Sequence, residues 1–120
     1  MEIVQIGNEE FLLRRIPIHP SYIKSDGSIS SFAFSLRKDE DGISTDLERL
    51  TDKDISVLDK SKYRLARINV GYIRNDINEG LDCIHNPLPE NYAHSLITSN
   101  SGKISDSKSR AMARAATMVY

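Results

Sequence analysis

The feature of this sequence that most constrains its fold is a series of short apolar segments with a spacing of two residues. The clearest covers residues 63–73, where Ala66, Ile68, Val70 and Tyr72 share one face. Such alternation is typical of a β-strand that buries one side. Weaker segments of the same kind predict further strands at residues 3–6, 11–18, 31–36, 43–47, 81–84 and 94–99.

Two of these predicted strands, residues 11–18 and 31–36, have features of their own. The segment that contains Pro17 lacks one ladder donor, so we expect it at a sheet edge or ending at a bulge. A short helix that begins at Asn8 is the alternative for the same segment. In residues 31–36 the side chains of Phe32 and Phe34 fall on one face, which favours a strand.

Helix signals are fewer. Thr51 precedes two acids and an apolar face that begins at Ile55, so we expect a short amphipathic helix there. Ser105 or Ser107 is the expected N-cap of a terminal helix over residues 110–119. Five or six short strands with two or three short helices predict one α+β domain over the whole chain. Its sheet is expected to be mixed or mainly antiparallel, with about five strands.

Composition narrows the class of protein. The chain has 120 residues, of which 39% are hydrophobic, and its formal net charge is −1. These values are typical of a folded domain and exclude a disordered chain. The sequence shows no apolar run long enough to cross a bilayer and no basic leader at Met1, so we expect a cytoplasmic protein without membrane contact. The single cysteine, Cys83, excludes an internal disulfide, and we expect it to be a core residue.

The small net charge hides strong segregation. Residues 39–59 sum to −6, residues 60–74 to +5, residues 75–94 to −4 and residues 95–120 to +3. Blocks of this kind either pair with one another in the fold or face a binding partner.

Common catalytic and cofactor motifs are absent from the sequence. It has no glycine-rich phosphate loop, no dinucleotide fingerprint, no zinc-protease helix and no G-x-S-x-G elbow. Its histidines, His19, His85 and His94, have no metal-ligand spacing, so we predict neither a metal nor a cofactor.

Residues 86–95 form a polar, proline-framed segment that is typical of a functional loop. In a catalytic interpretation His94 is a general base beside a hydroxyl such as that of Ser31 or Ser95. In the alternative, Asn91 caps a turn and His94 donates to a backbone carbonyl.

Arginines supply the other candidates. Arg14 and Arg15 stand among apolar residues, where they either bind a phosphate or carboxylate or pair with the acidic residues 39–59. Near the end, Lys108, Arg110 and Arg114 could contact nucleic-acid phosphates. A sequence pI of about 6.3 argues against a dedicated nucleic-acid binder.

Several segments together resemble a group of small uncharacterised bacterial proteins with an arginine strand, a Ser-Ser-x-Ala-Phe strand and an Asn-x-Ala-His segment. The matching segments are residues 12–16, 30–34, 43–47, 89–97 and 107–113. The resemblance implies a stand-alone bacterial domain from a toxin–antitoxin or phage-defence locus. The chain departs from the usual Asn-Pro-x-His form by placing Tyr92 before Ala93. A fainter similarity to ADP-ribosyltransferase-like toxins matches Arg14 and Ser31, without a counterpart for the catalytic glutamate.

The leading hypothesis is a non-catalytic interaction protein that binds a larger protein from the same locus. An ADP-ribosyltransferase-like enzyme is the alternative, and it requires Arg14, Ser31 and His94 to meet in one pocket. A nucleic-acid-binding accessory protein is the second alternative. The candidate residues for binding a partner or an anion are Arg14, Arg15, Asn91, His94, Ser95, Lys108, Arg110 and Arg114.

Overall fold

Six strands form one antiparallel sheet in the computed structural model, which describes residues 1–77 and 79–120. The strands are β1 (Phe11–Pro17), β2 (Ile43–Leu47), β3 (Tyr63–Asn69), β4 (Leu81–His85), β5 (His94–Ser99) and β6 (Thr117–Met118). Their order across the sheet is β4-β5-β2-β1-β3-β6, and every neighbouring pair is antiparallel. The predicted α+β class is confirmed.

Short helices complete the fold. They are α1 (Lys53–Ser56), α2 (Asp106–Ala115), two 3-10 turns (Ser31–Phe34 and Glu48–Leu50) and a π-helical turn (Tyr72–Ile77). Of the two predicted caps of the terminal helix, Ser105 is the N-cap, because its hydroxyl accepts a hydrogen bond from the Lys108 amide. The predicted range 110–119 is wrong, since the helix ends at Ala115 and β6 follows. No helix in the described residues combines the length and the apolar character that a bilayer crossing requires.

Hydrophobic side chains cover both faces of the sheet unequally. The larger cluster lies between the sheet and α2, and its centre is built from Leu12, Ile16, Phe34, Ile68, Ile97 and Met112. A smaller cluster on the opposite face consists of Leu13, Val57 and Leu65. Because Leu12 and Leu13 are consecutive, β1 contributes to both clusters, as expected for a strand inside a two-faced sheet.

The predicted strand at residues 31–36 is wrong. These residues form the 3-10 turn Ser31–Phe34, because the Ser30 hydroxyl accepts from the Phe32 amide and starts a turn. In that turn the two aromatic side chains no longer share a face. Phe34 is fully buried, whereas Phe32 is 50% exposed.

The predicted edge position of the Pro17 strand is also wrong. β1 lies inside the sheet, between β2 and β3. Pro17 is tolerated because it is the last residue of β1, beyond the point where pairing with β2 stops. The strand prediction for residues 3–6 is likewise wrong, since these residues are not part of the sheet.

The short helix begins one residue later than Thr51 suggested. Asp52 is its N-cap, and its carboxylate accepts from the Ile55 amide at 3.0 Å. The expected apolar face is not buried, because Ile55 and Leu58 are 66% and 67% exposed. Instead Val57 packs against the sheet from the turn that follows.

Candidate functional site

A cleft opens where β1 and β2 separate. β1 pairs with β3 over all seven of its residues, but its pairing with β2 covers only Leu12 with Leu47 and Leu13 with Asp46. Beyond this point the two strands diverge around a cleft of about 70 Å³. Its polar lining comes from Arg14, Arg15, Ser44, Asp46, Asn91 and His94.

Arg14 spans the separation between the strands. Its Nε donates to the carbonyl oxygen of Ala33 at 2.9 Å, and its Nη1 donates to the carbonyl oxygen of Ser44 at 2.8 Å. Burial lowers the pKa of Arg14 to about 10, so the guanidinium remains charged at neutral pH. Nη2 makes no hydrogen bond to the part of the chain that the structure describes.

Arg15 follows Arg14 in β1, with its side chain starting on the opposite face of the strand, and it is also anchored by the backbone. Its Nη1 donates to the carbonyl oxygen of Ser56 at 2.7 Å, and its guanidinium carbon lies 5.6 Å from the centre of the Tyr63 ring. Both arginine side chains bind main-chain oxygens within the acidic segment, and among the described residues neither forms an ion pair with a carboxylate.

Asp46 forms the floor of the cleft. Only 6% of this residue is exposed, and its two carboxylate oxygens accept hydrogen bonds from the Ser56 hydroxyl at 2.7 Å and the Asn91 amide at 2.8 Å. A buried carboxylate needs such donors to remain stable. The pair of bonds ties α1 and the proline-framed loop to the centre of the sheet.

The proline-framed loop holds His94 in a fixed orientation. Leu88 and Asn91 exchange two backbone hydrogen bonds of 3.0 Å, and the Asn86 amide donates to the His94 carbonyl at 2.9 Å. The Nδ1 atom of His94 lies 2.8 Å from the carbonyl oxygen of Asn86. This contact matches the prediction that His94 donates to a backbone carbonyl. Asn91, by contrast, uses its side chain to bind Asp46 rather than only to cap a turn.

The other nitrogen of His94 faces a hydroxyl that sequence reasoning missed. Nε2 lies 3.2 Å from the Oγ of Ser44, a residue 50 positions away in the chain. The register of β2 on β5 places Asp46 opposite His94, so Ser44 lies diagonally across from the histidine on the same face. No local pattern marks Ser44, because its role depends on this long-range pairing.

The two predicted hydroxyl partners of His94 lie elsewhere. Ser31 borders a different cleft, near Arg110 and Arg114, and its Oγ lies 3.5 Å from a carboxylate oxygen of Asp106. Ser95 is fully buried and donates to the Ala93 carbonyl. The structure therefore brings Arg14 and His94 together and separates both from Ser31, so the three residues do not share the pocket that the enzyme hypothesis required.

The basic residues of the terminal helix do not line the cleft, and two of the three are ion-paired. Lys108 lies 3.7 Å from the Glu79 carboxylate, and Arg110 pairs with Asp106 one helical turn away. Arg114 is exposed and borders a surface cleft with Lys24. These residues do not extend the surface formed by Arg14 and Arg15.

The charge blocks pair with one another. Four ion pairs join blocks of opposite sign, namely Lys60–Asp54, Arg67–Glu48, Arg74–Asp82 and Lys108–Glu79. Among the described residues these pairs use eight of the 24 charged side chains of the four blocks, so the first of the two interpretations is met only in part. Arg14 and Arg15 lie outside the four blocks and form no ion pair with the described residues.

A second cleft of about 230 Å³ adjoins the first and shares Arg14 and Arg15 with it. It adds a third arginine, Arg37, and the carboxylate of Glu40. Three aromatic rings also line it, those of Tyr22, Phe32 and Tyr63. Arg37 donates to the Tyr22 hydroxyl at 3.0 Å, and the rings of Tyr22 and Phe32 are 5.1 Å apart. We refer to the two clefts together as the arginine groove.

Other reactive groups do not contribute to the groove. Cys83 is buried in the larger core cluster, and burial raises its pKa to about 12, so it is not a thiolate at neutral pH. Within residues 1–77 and 79–120, no three acidic, histidine or cysteine side chains come together as metal ligands.

Comparison with known proteins found no match to any family model, to any curated protein or to any solved structure. The resemblance to small bacterial proteins stays a prediction.

Proposed function

We propose that this protein binds a small phosphorylated ligand that also carries a planar ring, of the kind that a nucleotide represents. The observation that carries the proposal is that Arg14 and Arg15 are hydrogen-bonded to main-chain carbonyls and not ion-paired. Other arginines of the fold, such as Arg67 and Arg74, are ion-paired with carboxylates. Arg14 and Arg15 are instead held by carbonyl oxygens and line one cleft.

This anchoring favours an anion. A carbonyl oxygen fixes the direction of a guanidinium without neutralising its charge, so each arginine keeps a full positive charge and free donors. Planar guanidinium groups bind phosphate through two parallel hydrogen bonds. The carboxylates of Glu40 and Asp46 lower the net charge of the groove, but its three arginines, Arg14, Arg15 and Arg37, leave an excess of one positive charge.

The aromatic residues favour a ring next to the anion. Phe32 is half exposed at the wall of the second cleft, although a large apolar side chain is usually buried. Arg37 and Tyr22 are joined by a hydrogen bond at the same wall. A flat ring stacked there would cover Phe32 while its phosphate reaches Arg14 and Arg15.

Titration of the protein with adenosine 5′-monophosphate, inorganic phosphate and adenosine tests the proposal. We expect chemical-shift changes at Arg14, Arg15 and Phe32 with the nucleotide, and weaker binding of either half alone. Arg15→Gln should weaken nucleotide binding about tenfold or more, since it removes a charge-assisted contact. Arg64→Gln, which changes an exposed arginine outside the groove, is the matched control.

Two results would overturn the proposal. One is equal affinity of the Arg15→Gln and Arg64→Gln variants. The other is the absence of binding at millimolar nucleotide. The predicted binding of a larger protein from the same locus is a separate hypothesis, and the groove does not depend on it.

A further inference from the structure

We propose that the groove is also catalytic, with Ser44 as a nucleophile and His94 as its base, and that it cleaves a carboxylic ester of a phosphate-bearing molecule. The class of substrate rests on the proposed function, because the arginines hold the phosphate. The reaction itself rests on a different observation, the hydrogen-bonded chain from Ser44 through His94 to Asn86.

The carbonyl of Asn86 determines how His94 acts. A carbonyl oxygen can only accept, so the neutral imidazole must carry its proton on Nδ1, which lies 2.8 Å away. Nε2 is then left with a free electron pair, and it faces the Ser44 hydroxyl at 3.2 Å. A nucleophile, a base and a group that orients the base are the three parts of a serine hydrolase centre.

Exposure makes this pair accessible to a substrate. Ser44 is exposed, and both Ser44 and His94 line the first cleft. Arg14 donates to the main-chain carbonyl of Ser44 and lines the same cleft, so a positive charge lies near the nucleophile. The phosphate binds the arginines and positions the substrate. It is not the group that reacts, because its negative charge would repel an attacking oxygen.

Water is the only reactant that the proposed hydrolysis needs besides the ester. Ser44 Oγ forms a bond to the ester carbonyl carbon while its proton moves to His94 Nε2. The bond to the alcohol then breaks, and His94 returns the proton to the departing oxygen. A water molecule attacks the acyl-serine, gives a proton to His94 and releases the acid, after which the proton returns to Ser44.

Labelling with a fluorophosphonate reagent and hydrolysis of p-nitrophenyl acetate by the full chain test the inference. We expect a single adduct on Ser44 by peptide mass spectrometry, and loss of both labelling and hydrolysis in Ser44→Ala. His94→Gln should slow hydrolysis about 100-fold or more, the usual contribution of a general base. Ser107→Ala is the matched control, because Ser107 is an exposed serine of α2 that lines neither cleft of the groove.

The outcomes separate this inference from the proposed function. Nucleotide binding retained by Ser44→Ala, together with lost labelling, supports the catalytic assignment. An unlabelled wild-type protein that still binds nucleotide overturns catalysis alone. Hydrolysis that is equal in Ser44→Ala and Ser107→Ala overturns it as well. Labelling of Ser44 in a protein that binds no nucleotide would overturn the proposed ligand and leave the nucleophile in place.

Discussion

The guanidinium of Arg14 donates to the main-chain carbonyl of Ser44 at 2.8 Å, across the point where β1 and β2 separate. The Arg14 side chain thus joins β1 to β2 at a position where backbone hydrogen bonds would join them if the ladder continued. Arg14 also lines the cleft that holds Ser44 and His94, so the fold and the candidate site both depend on this residue.

Replacement of Arg14 by lysine should therefore affect both stability and binding. An ammonium group lacks the planar geometry to donate to the carbonyls of Ala33 and Ser44 together. We expect a loss of about 1–3 kcal/mol in the free energy of unfolding, because a buried carbonyl loses its donor. Urea denaturation measures this loss, and a variant as stable as the wild type would contradict the role of Arg14 at the separation.

The two phenylalanines of the 3-10 turn should differ sharply. Phe34→Ala removes a fully buried ring and should cost about 3–5 kcal/mol, whereas Phe32→Ala should cost less than about 1 kcal/mol. Thermal unfolding of both variants measures the difference. Equal losses would instead fit the strand in which both rings share one face.

Asp46 should be intolerant of neutralisation. In Asp46→Asn both bonds lose their charged acceptor, and the new NH2 group must either oppose the Asn91 amide or use the Ser56 hydroxyl as an acceptor. We expect a loss of about 1–3 kcal/mol in stability and a shift of the His94 ring resonances. Asp39→Asn, at an exposed position, is the control and should leave both unchanged.

Cys83 should resist alkylation in the native state. Burial raises its pKa to about 12 from an ordinary value of 9.0, so the folded protein keeps the thiol proton that the unfolded chain loses. Stability from this difference is complete below pH 9 and declines as the pH rises from 9 towards 12. Iodoacetamide at pH 8 should modify the protein only in denaturant, and rapid labelling of the native chain would contradict the buried position.

Glu10 should contribute to stability at neutral pH and lose that contribution in acid. Its carboxylate accepts from Arg49 at 2.5 Å and from the Gly7 amide at 2.9 Å, and the bond to Arg49 lowers its pKa below the ordinary 4.5. The stabilising effect is therefore present above about pH 4.5 and lost as the pH falls through the lowered pKa.

Substitution of Glu10 tests this dependence. Glu10→Gln should lower stability by about 0.5–1 kcal/mol at pH 7, because Arg49 is half exposed and the pair is partly screened. The difference from the wild type should vanish near pH 2 in urea titrations. A constant difference across that range would show that the carboxylate charge is not what stabilises this contact.

The sequence predicted those parts of the fold that depend on local pattern. β2 and β5 were predicted with the observed boundaries, and Ser105 was recognised as a cap, because alternation and capping act between neighbouring residues. The 3-10 turn was missed because Phe32 and Phe34 satisfy the strand pattern, while the Ser30 hydroxyl determines the backbone.

The site was predicted only in part, for a related reason. Arg14, Arg15, Asn91 and His94 stood out as polar residues in unusual contexts, and all four line the cleft. Ser44 lay inside an ordinary strand, and only the pairing of β2 with β5 brings it to His94. Hydroxyls predicted from chain proximity, such as that of Ser95, point away because neighbouring strand residues face opposite sides of a sheet.

Because β1 and β2 pair over only two residues, the sheet consists of two ribbons that are weakly joined to each other. β4, β5 and β2 form one ribbon, and β1, β3 and β6 form another, with the shortest ladder of the sheet interior between them. His94 belongs to the first ribbon and Arg15 to the second. A ligand bound by both residues would link the two ribbons, so that they would move together when the groove is occupied.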